Sequence, residues 1–240
     1  MFNTILLDLD GTLLPFEQDE FLKRYFALLC KRLAPKGYAP DAVVKAVWAG
    51  SKAMIENDGA VLNCERFWTM FAKCLGEEVL AEEENLDEFY RNEFDTIRVV
   101  LQGDSCAKAL VDLLKSKGYT VVLATNPLFP EQAQRTRMAW VGLTPDDFAL
   151  VTHYTNSRYC KPNLAYYEEI LRTLGKTPAE CLMVGNSVVE DLIAEKLGMG
   201  VYFVNTHAEN PTNEATDRFA QGPLEDFMYL AEYLPTVKKG

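Results

Sequence analysis

The chain is short of the residues that build soft-metal sites. It has only two histidines, His153 and His207, and no CxxC pair among its cysteines at 30, 64, 74, 106, 160 and 181. Zinc centres draw on closely spaced Cys and His, so none is expected. Most of the cysteines fall within apolar runs, which points to small reduced core side chains rather than disulfides or a nucleophilic thiol. Positive charge is also scarce: Lys and Arg total 24 against 35 Asp and Glu, for a net charge of -11. A surface of that sign repels nucleic-acid phosphates and anionic lipid, so neither is an expected partner. A small phosphorylated substrate remains compatible, because one local site can be positive in an acidic protein. No apolar stretch approaches the roughly 20 residues that span a bilayer. Near the N-terminus Asp8 and Asp10 interrupt the apolar run that a secretory signal would need. The expectation is a cytoplasmic protein without membrane contact. Internal repeats and low-complexity tracts are lacking too, and no feature of the sequence fixes an oligomeric state.

What is present is an ordinary globular composition, 48% apolar and 25% charged over 240 residues. That length makes one large domain or two small ones. Thr4 to Leu7 is a short apolar run ending in Asp8, Asp10 and Gly11, a buried strand emptying into a turn. From Phe16 to about Ile97 the pattern is helical. Phe21, Tyr25, Leu29 and Leu33 recur at helical spacing until Pro35-Lys36-Gly37 breaks the series. Further helices are predicted after Pro40, through Phe67 to Leu75, and through Leu86 to Phe94, together a small bundle. After Gly103 strands and helices alternate: strands at 120–124, 149–151, 181–184 and 201–204, with helices near 109–117, 131–140, 162–174 and 189–197 between or beside them. Unbroken apolar strands alternating with helices predict a parallel sheet covered on both faces. The architecture is an α/β core, residues 1–15 and 98–240, with a helical insertion at 16–97.

Ligands of open parallel sheets sit beyond the carboxyl ends of the strands. Those ends carry Asp8 and Asp10, then Thr125 and Asn126, then Asn186 with Glu190 and Asp191, while Lys161 precedes the 162–174 helix. Each has a bland reading: an acidic pair in a solvated turn, Thr-Asn-Pro as turn chemistry, Lys161 as an exposed loop residue, and Asp191 as a favoured helix N-terminal acid. Their order along the chain makes the set more telling than any member.

The set resembles the four motifs of the haloacid dehalogenase superfamily. Asp8-Leu9-Asp10-Gly11-Thr12-Leu13 is similar to the first motif, DxDGT(L/V). Leu123-Ala124-Thr125-Asn126 resembles the second, Lys161-Pro162 the third, and Gly185-Asn186-Ser187-Val188-Val189-Glu190-Asp191 the fourth, GDxxxxD, with Asn in place of its first Asp. The insertion matches the family's helical cap, and the resemblance implies a Rossmann-like core. It also implies a phosphatase that acts on a small phosphorylated metabolite through an aspartyl-phosphate. Asp8 would be the nucleophile and Asp10 the general acid and base. Thr125, Asn126 and Lys161 would hold phosphate oxygens. Mg²⁺ would be held by the Asp8 carboxylate, the Asp10 backbone carbonyl and Asn186, with Asp191 direct or through water. A haloacid dehalogenase needs no acid at position 10, which counts against that activity. A phosphomutase with the same motifs, or a weakened relative that only binds a phosphorylated ligand, remains an alternative. The aromatics of the insertion, among them Phe16, Tyr25, Phe26, Trp48, Trp68 and Phe71, are expected in its core.

Overall fold

The computed structural model describes residues 2–237. Six parallel strands make one sheet in the order β3-β2-β1-β4-β5-β6. They are β1 (Thr4–Leu7), β2 (Thr120–Leu123), β3 (Leu150–Val151), β4 (Cys181–Gly185), β5 (Gly200–Val204) and β6 (Ala220–Gly222). The first strand lies between β2 and β4, with Leu7 beside Leu123 on one side and Val184 on the other. Side chains alternate across the pleat. Ile5 and Leu7 therefore face one layer with Val121, Leu123 and Val184, which packs on α5 (Ala107–Ser116) and α8 (Leu224–Tyr233) through Leu110, Leu114 and Phe227. Leu6, Val122 and Met183 face the other layer, against Tyr166, Tyr167 and Ile170 of α7 (Leu164–Leu174). Each fully buried aliphatic side chain of this kind contributes about 1.5–3 kcal/mol relative to exposure. The α/β core with both faces covered is as the sequence predicts.

Between β1 and α5 lie α1 (Gln18–Leu33), α2 (Pro40–Ile55), α3 (Asn63–Leu75) and α4 (Glu83–Arg91), followed by 3₁₀ turns over Glu93–Val100. Phe21, Tyr25, Leu29 and Leu33 form the buried stripe of α1. Pro40 opens α2, where its missing N–H leaves no helical bond unmade. The α2 and α3 helices approach closely at Gly50: a Cβ there would fall 2.6 Å from the Phe67 ring. The two chain crossings between this segment and the sheet are tied together, as the Gln102 N–H donates to the Pro15 carbonyl at 2.7 Å.

Three expectations need correction. The helix placed at 189–197 is a run of 3₁₀ turns over Leu192–Leu197 that closes at Gly198 in the left-handed conformation. The series does not end at Val204: the short edge strand β6 and α8 follow. Trp48 is no core residue, being 52% exposed, although Phe16, Tyr25 and Phe71 are buried. The described cysteines are all unpaired. Among the described residues no helix is long and apolar enough to cross a membrane.

Candidate active site

The carboxyl ends of β1, β2 and β4 converge on a cavity of about 120 Å³ lined by Asp8, Asp10, Thr125, Asn126, Asn186 and Asp191. Strand β1 delivers Asp8, whose backbone N–H donates to the Val184 carbonyl at 2.9 Å. The chain then turns tightly: Gly11 N–H donates to Leu14 O at 2.9 Å, and Leu14 N–H to Leu9 O at 2.8 Å. Gly11 is required twice over. Its φ of +72° disfavours any side chain, and a Cβ would lie 2.2 Å from Asn186 Nδ2. Gly185 is constrained by crowding alone, since a Cβ there would meet the Asp191 carboxylate at 2.2 Å.

Lys161 is the cation at the floor. It is fully buried rather than an exposed loop residue, and its Nζ donates to Asp8 Oδ1 at 2.8 Å and to Asp191 Oδ1 at 2.6 Å. Burial alone would lower the Lys161 pKa, but attraction to Asp191 and Asp8 outweighs it and lifts the value well above the ordinary one. Asp191 takes the Ser187 N–H on its other oxygen at 2.9 Å, so both of its oxygens are engaged. Asn126 donates Nδ2 to the two oxygens of Glu190, each at 3.0 Å. That pair of bonds ties the loop after β2 to Glu190, which lines the same cavity. The Thr125 carbonyl is held by Thr152 and Tyr166 hydroxyls at 2.7 and 2.9 Å, while its own hydroxyl makes no hydrogen bond among the described residues. Asn186 has its amide fixed at both ends: Oδ1 accepts from Thr12 Oγ1 at 3.3 Å and Nδ2 donates to the His207 carbonyl at 2.6 Å.

Arg137 completes the site, and sequence reasoning missed it. It projects from α6 (Glu131–Ala139), is fully buried, and places Nη1 2.5 Å from Asp10 Oδ2. Its Nη2 donates to Gln134 Oε1 at 2.5 Å, and the guanidinium carbon lies 4.4 Å from the centre of the Phe129 ring. The fold supplies a signal that the sequence of α6 alone does not. The buried face of that helix is Ala133, Gln134, Arg137 and Met138, and two long polar groups on a core face call for a partner.

Carboxyl groups dominate the cavity. Burial pushes the Asp8 carboxyl up to about 8 against the pull of Lys161. Burial also raises Asp10, with Arg137 opposing, and takes Glu190 to about 7. Glu209, on the rim, is raised by burial and by Asp191. The buried Asp10 Oδ1 has no hydrogen-bond partner. Among the described residues no three His, Cys, Asp or Glu side chains converge as ligands on one point. A metal set here would have to draw on carbonyl oxygens as well as carboxylates. An all-oxygen set, an unpartnered carboxyl oxygen and an excess of carboxyl groups fit a hard divalent cation.

A family model for haloacid dehalogenase-like hydrolases matches residues 2–198. A glyceraldehyde 3-phosphate phosphatase of Methanothermobacter thermautotrophicus is 33% identical over 98 residues. That match covers 40% of this chain and 42% of the relative's length. A HAD phosphatase from Thermococcus onnurineus superposes with a TM-score of 0.62 at 20% identity, covering 99% of this chain and 100% of that one. A 2-haloacid dehalogenase from Pseudomonas syringae pv. Tomato gives 0.61 at 20% identity, covering 98% and 100%. At such identities structural likeness establishes the fold and leaves the reaction open. The sequence match along most of the chain goes further, and places this protein in the haloacid dehalogenase-like hydrolase family.

Proposed function

We propose that the protein is a magnesium-dependent phosphatase that hydrolyses a small phosphate monoester through an aspartyl-phosphate on Asp8. The observation that carries this is the buried Lys161 bridging Asp8 and Asp191 at the cavity floor, opposite Asp10 and its partner Arg137. Lys161 holds Asp8 in place and favours its anionic form. An Asp8 oxygen attacks phosphorus as the ester P–O bond breaks, and Asp10 gives its proton to the departing alkoxide. In the second half Asp10 takes a proton from water, whose oxygen displaces the Asp8 carboxylate from phosphorus and releases inorganic phosphate. The burial that raises Asp10 suits it to carry a proton into the first half. Thr125, with its unengaged hydroxyl, and the Asn126 backbone N–H would hold phosphate oxygens beside Lys161.

Asp8, the Asp10 carbonyl and Asn186 would hold Mg²⁺, with Asp191 acting through water because both of its oxygens are engaged. The ion would supply positive charge that offsets repulsion between nucleophile and phosphate. We treat residues 16–97 as a cap domain on the core formed by 1–15 and 98–240. The tie between Gln102 and Pro15 at the two crossings supports that division. An acid paired with a buried arginine has no use in attack on a haloacid carbon, which favours the phosphatase over the dehalogenase.

Phosphate release from p-nitrophenyl phosphate is expected with Mg²⁺ and not in EDTA, and Asp8→Asn should abolish it while leaving the circular dichroism unchanged. Wild-type turnover in the folded Asp8→Asn protein, freed of contaminating phosphatase, would refute the assignment. Halide release from a haloacid would revive the dehalogenase, and transfer of the phosphoryl group to a second hydroxyl would favour a mutase.

A further inference from the structure

The helical segment holds a second, larger cavity of about 250 Å³, and its walls are chiefly apolar and aromatic. Leu22, Phe26, Trp48, Phe67 and Trp68 line it from α1, α2 and α3. Its base is the loop Leu128-Phe129-Pro130, which continues directly from Thr125 and Asn126. Gln18, Leu128 and Phe129 line both this cavity and the catalytic one, so the two are neighbours across a shared wall.

The polar inventory of the larger cavity is specific. Three phenols stand in its walls: Tyr25 and Tyr90 are hydrogen-bonded to each other at 2.9 Å, and Tyr154 is buried. Its charged residues are Lys52, Glu83 and Asp87, and two of them have partners: Lys52 lies 3.7 Å from Glu56 and Asp87 3.5 Å from Arg91. No arginine is among its lining residues, so it offers no fork for a carboxylate or second phosphate. Trp48 stands half exposed beside the Phe26 ring at 5.5 Å, leaving apolar surface in water when the cavity is empty of ligand. Pockets with apolar walls and few polar groups select ligands by the apolar surface they bury.

We propose that this cavity receives the alcohol portion of the substrate, and that this alcohol is an apolar body of aromatic-ring size rather than a small hydroxy acid or sugar acid. This rests on the phosphatase reading above for its phosphate end. The ring lies against Trp48, Phe26 and Phe67, and the ester oxygen reaches past Gln18 and Phe129 to Asp8 and Asp10. Because the alcohol portion leaves during the first half-reaction, the cavity recognises a product as well as a substrate. The free alcohol therefore binds there without its phosphate.

The test is kcat/KM with Mg²⁺ for ethyl, butyl, benzyl and 2-phenylethyl phosphates, with phosphoglycolate as the acidic comparison. All four are unactivated alkyl esters, so leaving-group acidity contributes little to the series. Aryl-bearing esters are expected to exceed ethyl phosphate by at least about tenfold, the scale of hydrophobic-pocket discrimination. Ser51 lines the cavity from α2 and is absent from the lining of the catalytic one, so Ser51→Phe should fill the cavity, remove that advantage and leave ethyl phosphate unchanged. Trp48→Ala, at an exposed position that the fold tolerates, should weaken the aryl esters in the same direction. A series flat within twofold, or a preference for phosphoglycolate, overturns the proposal while the phosphatase reading stands. A second readout is independent of turnover: 2-phenylethanol should change the tryptophan fluorescence of the wild type and not of Ser51→Phe. Binding without turnover of any ester would sink the phosphatase reading and still carry the aromatic cavity. Absence of binding sinks the cavity.

Discussion

Arg137 Nη1 lies 2.5 Å from Asp10 Oδ2, and the arginine side chain is fully buried while the aspartate is one-fifth exposed. The arginine therefore grips one oxygen of Asp10 from inside the protein and leaves Oδ1 buried without a hydrogen-bond partner. Phe129 beneath the guanidinium and Gln134 beside it hold the grip in one orientation. The relationship makes Asp10 a carboxyl of fixed rotamer, as the proposed proton transfer to a departing oxygen requires.

Arg137→Met is expected to lower kcat on an alkyl phosphate by about 10²-fold, the scale of an ångström-level misplacement of a catalytic group. The loss should be smaller on p-nitrophenyl phosphate, whose phenolate leaves without help. Arg137→Lys should recover part of the loss, since it restores charge without the fork. Equal losses on the two esters, with chemistry rate-limiting, would separate Arg137 from the acid step.

Removing Lys161 leaves Asp8 and Asp191 buried without their shared cation. Breaking a buried pair in this way costs about 3–5 kcal/mol. Lys161→Met should therefore unfold at markedly lower urea and lose turnover. Lys161→Met combined with Asp191→Asn should regain part of the stability and none of the activity. A single variant as stable as wild type at pH 8 would contradict the cluster described here.

Asn186 explains its own departure from the family pattern. Its Nδ2 donates to the His207 carbonyl at 2.6 Å, a bond that a carboxylate oxygen turns into a repulsion between two acceptors. Asn186→Asp is expected to lower the Mg²⁺ concentration for half-maximal activity by adding charge. It should also cost about 1–3 kcal/mol of stability in EDTA, the penalty of a buried group left unsatisfied. Asn186→Ala should raise the Mg²⁺ requirement. Three superimposable Mg²⁺ titrations would remove Asn186 from the metal site.

Without a cation the raised carboxyls set the pH dependence of stability. Asp8 goes from an ordinary 3.8 to about 8, and Glu190 from 4.5 to about 7. The unfolded chain releases these protons first, so the folded state binds more protons across this window and stability falls as pH rises from about 4 to 8. Melting in EDTA should occur at a lower temperature at pH 8 than at pH 5.5. Mg²⁺, which binds the folded state, should raise the midpoint more at pH 8. A midpoint in EDTA that climbs with pH would contradict the assignment.

The strands were legible because Thr4 to Leu7, Thr120 to Leu123 and Cys181 to Gly185 are apolar runs that end in turn or polar residues. The site was legible to the same extent, since Asp8, Thr125, Asn126 and Asn186 occupy those ends. Lys161 was legible only through its motif: nothing local to Lys161-Pro162 reveals that Asp8 and Asp191, far away in sequence, draw its ammonium inside. Arg137 was hidden for the same reason, its partner being 127 residues distant. The edge strand β6 reads Ala-Gln-Gly, a sequence without β-propensity that becomes a strand only by pairing with β5. Trp48 fitted a helical apolar pattern, but the bundle leaves a cavity where close packing was expected.

The place of β1 in the sheet bears on how the chain is made. Thr4 to Leu7 leave the ribosome before either of their partners, Thr120 to Leu123 on one side and Cys181 to Val184 on the other. The loops that must close are over a hundred residues long, and such non-local pairing is slow to form. A nascent chain that has reached β3 but not β4 can thus organise helices α1 to α4 while an apolar strand waits with one edge unpaired. That open edge is a template for pairing between chains until β4 emerges. The strand that leads to Asp8 is consequently the part of the molecule most exposed to aggregation during synthesis.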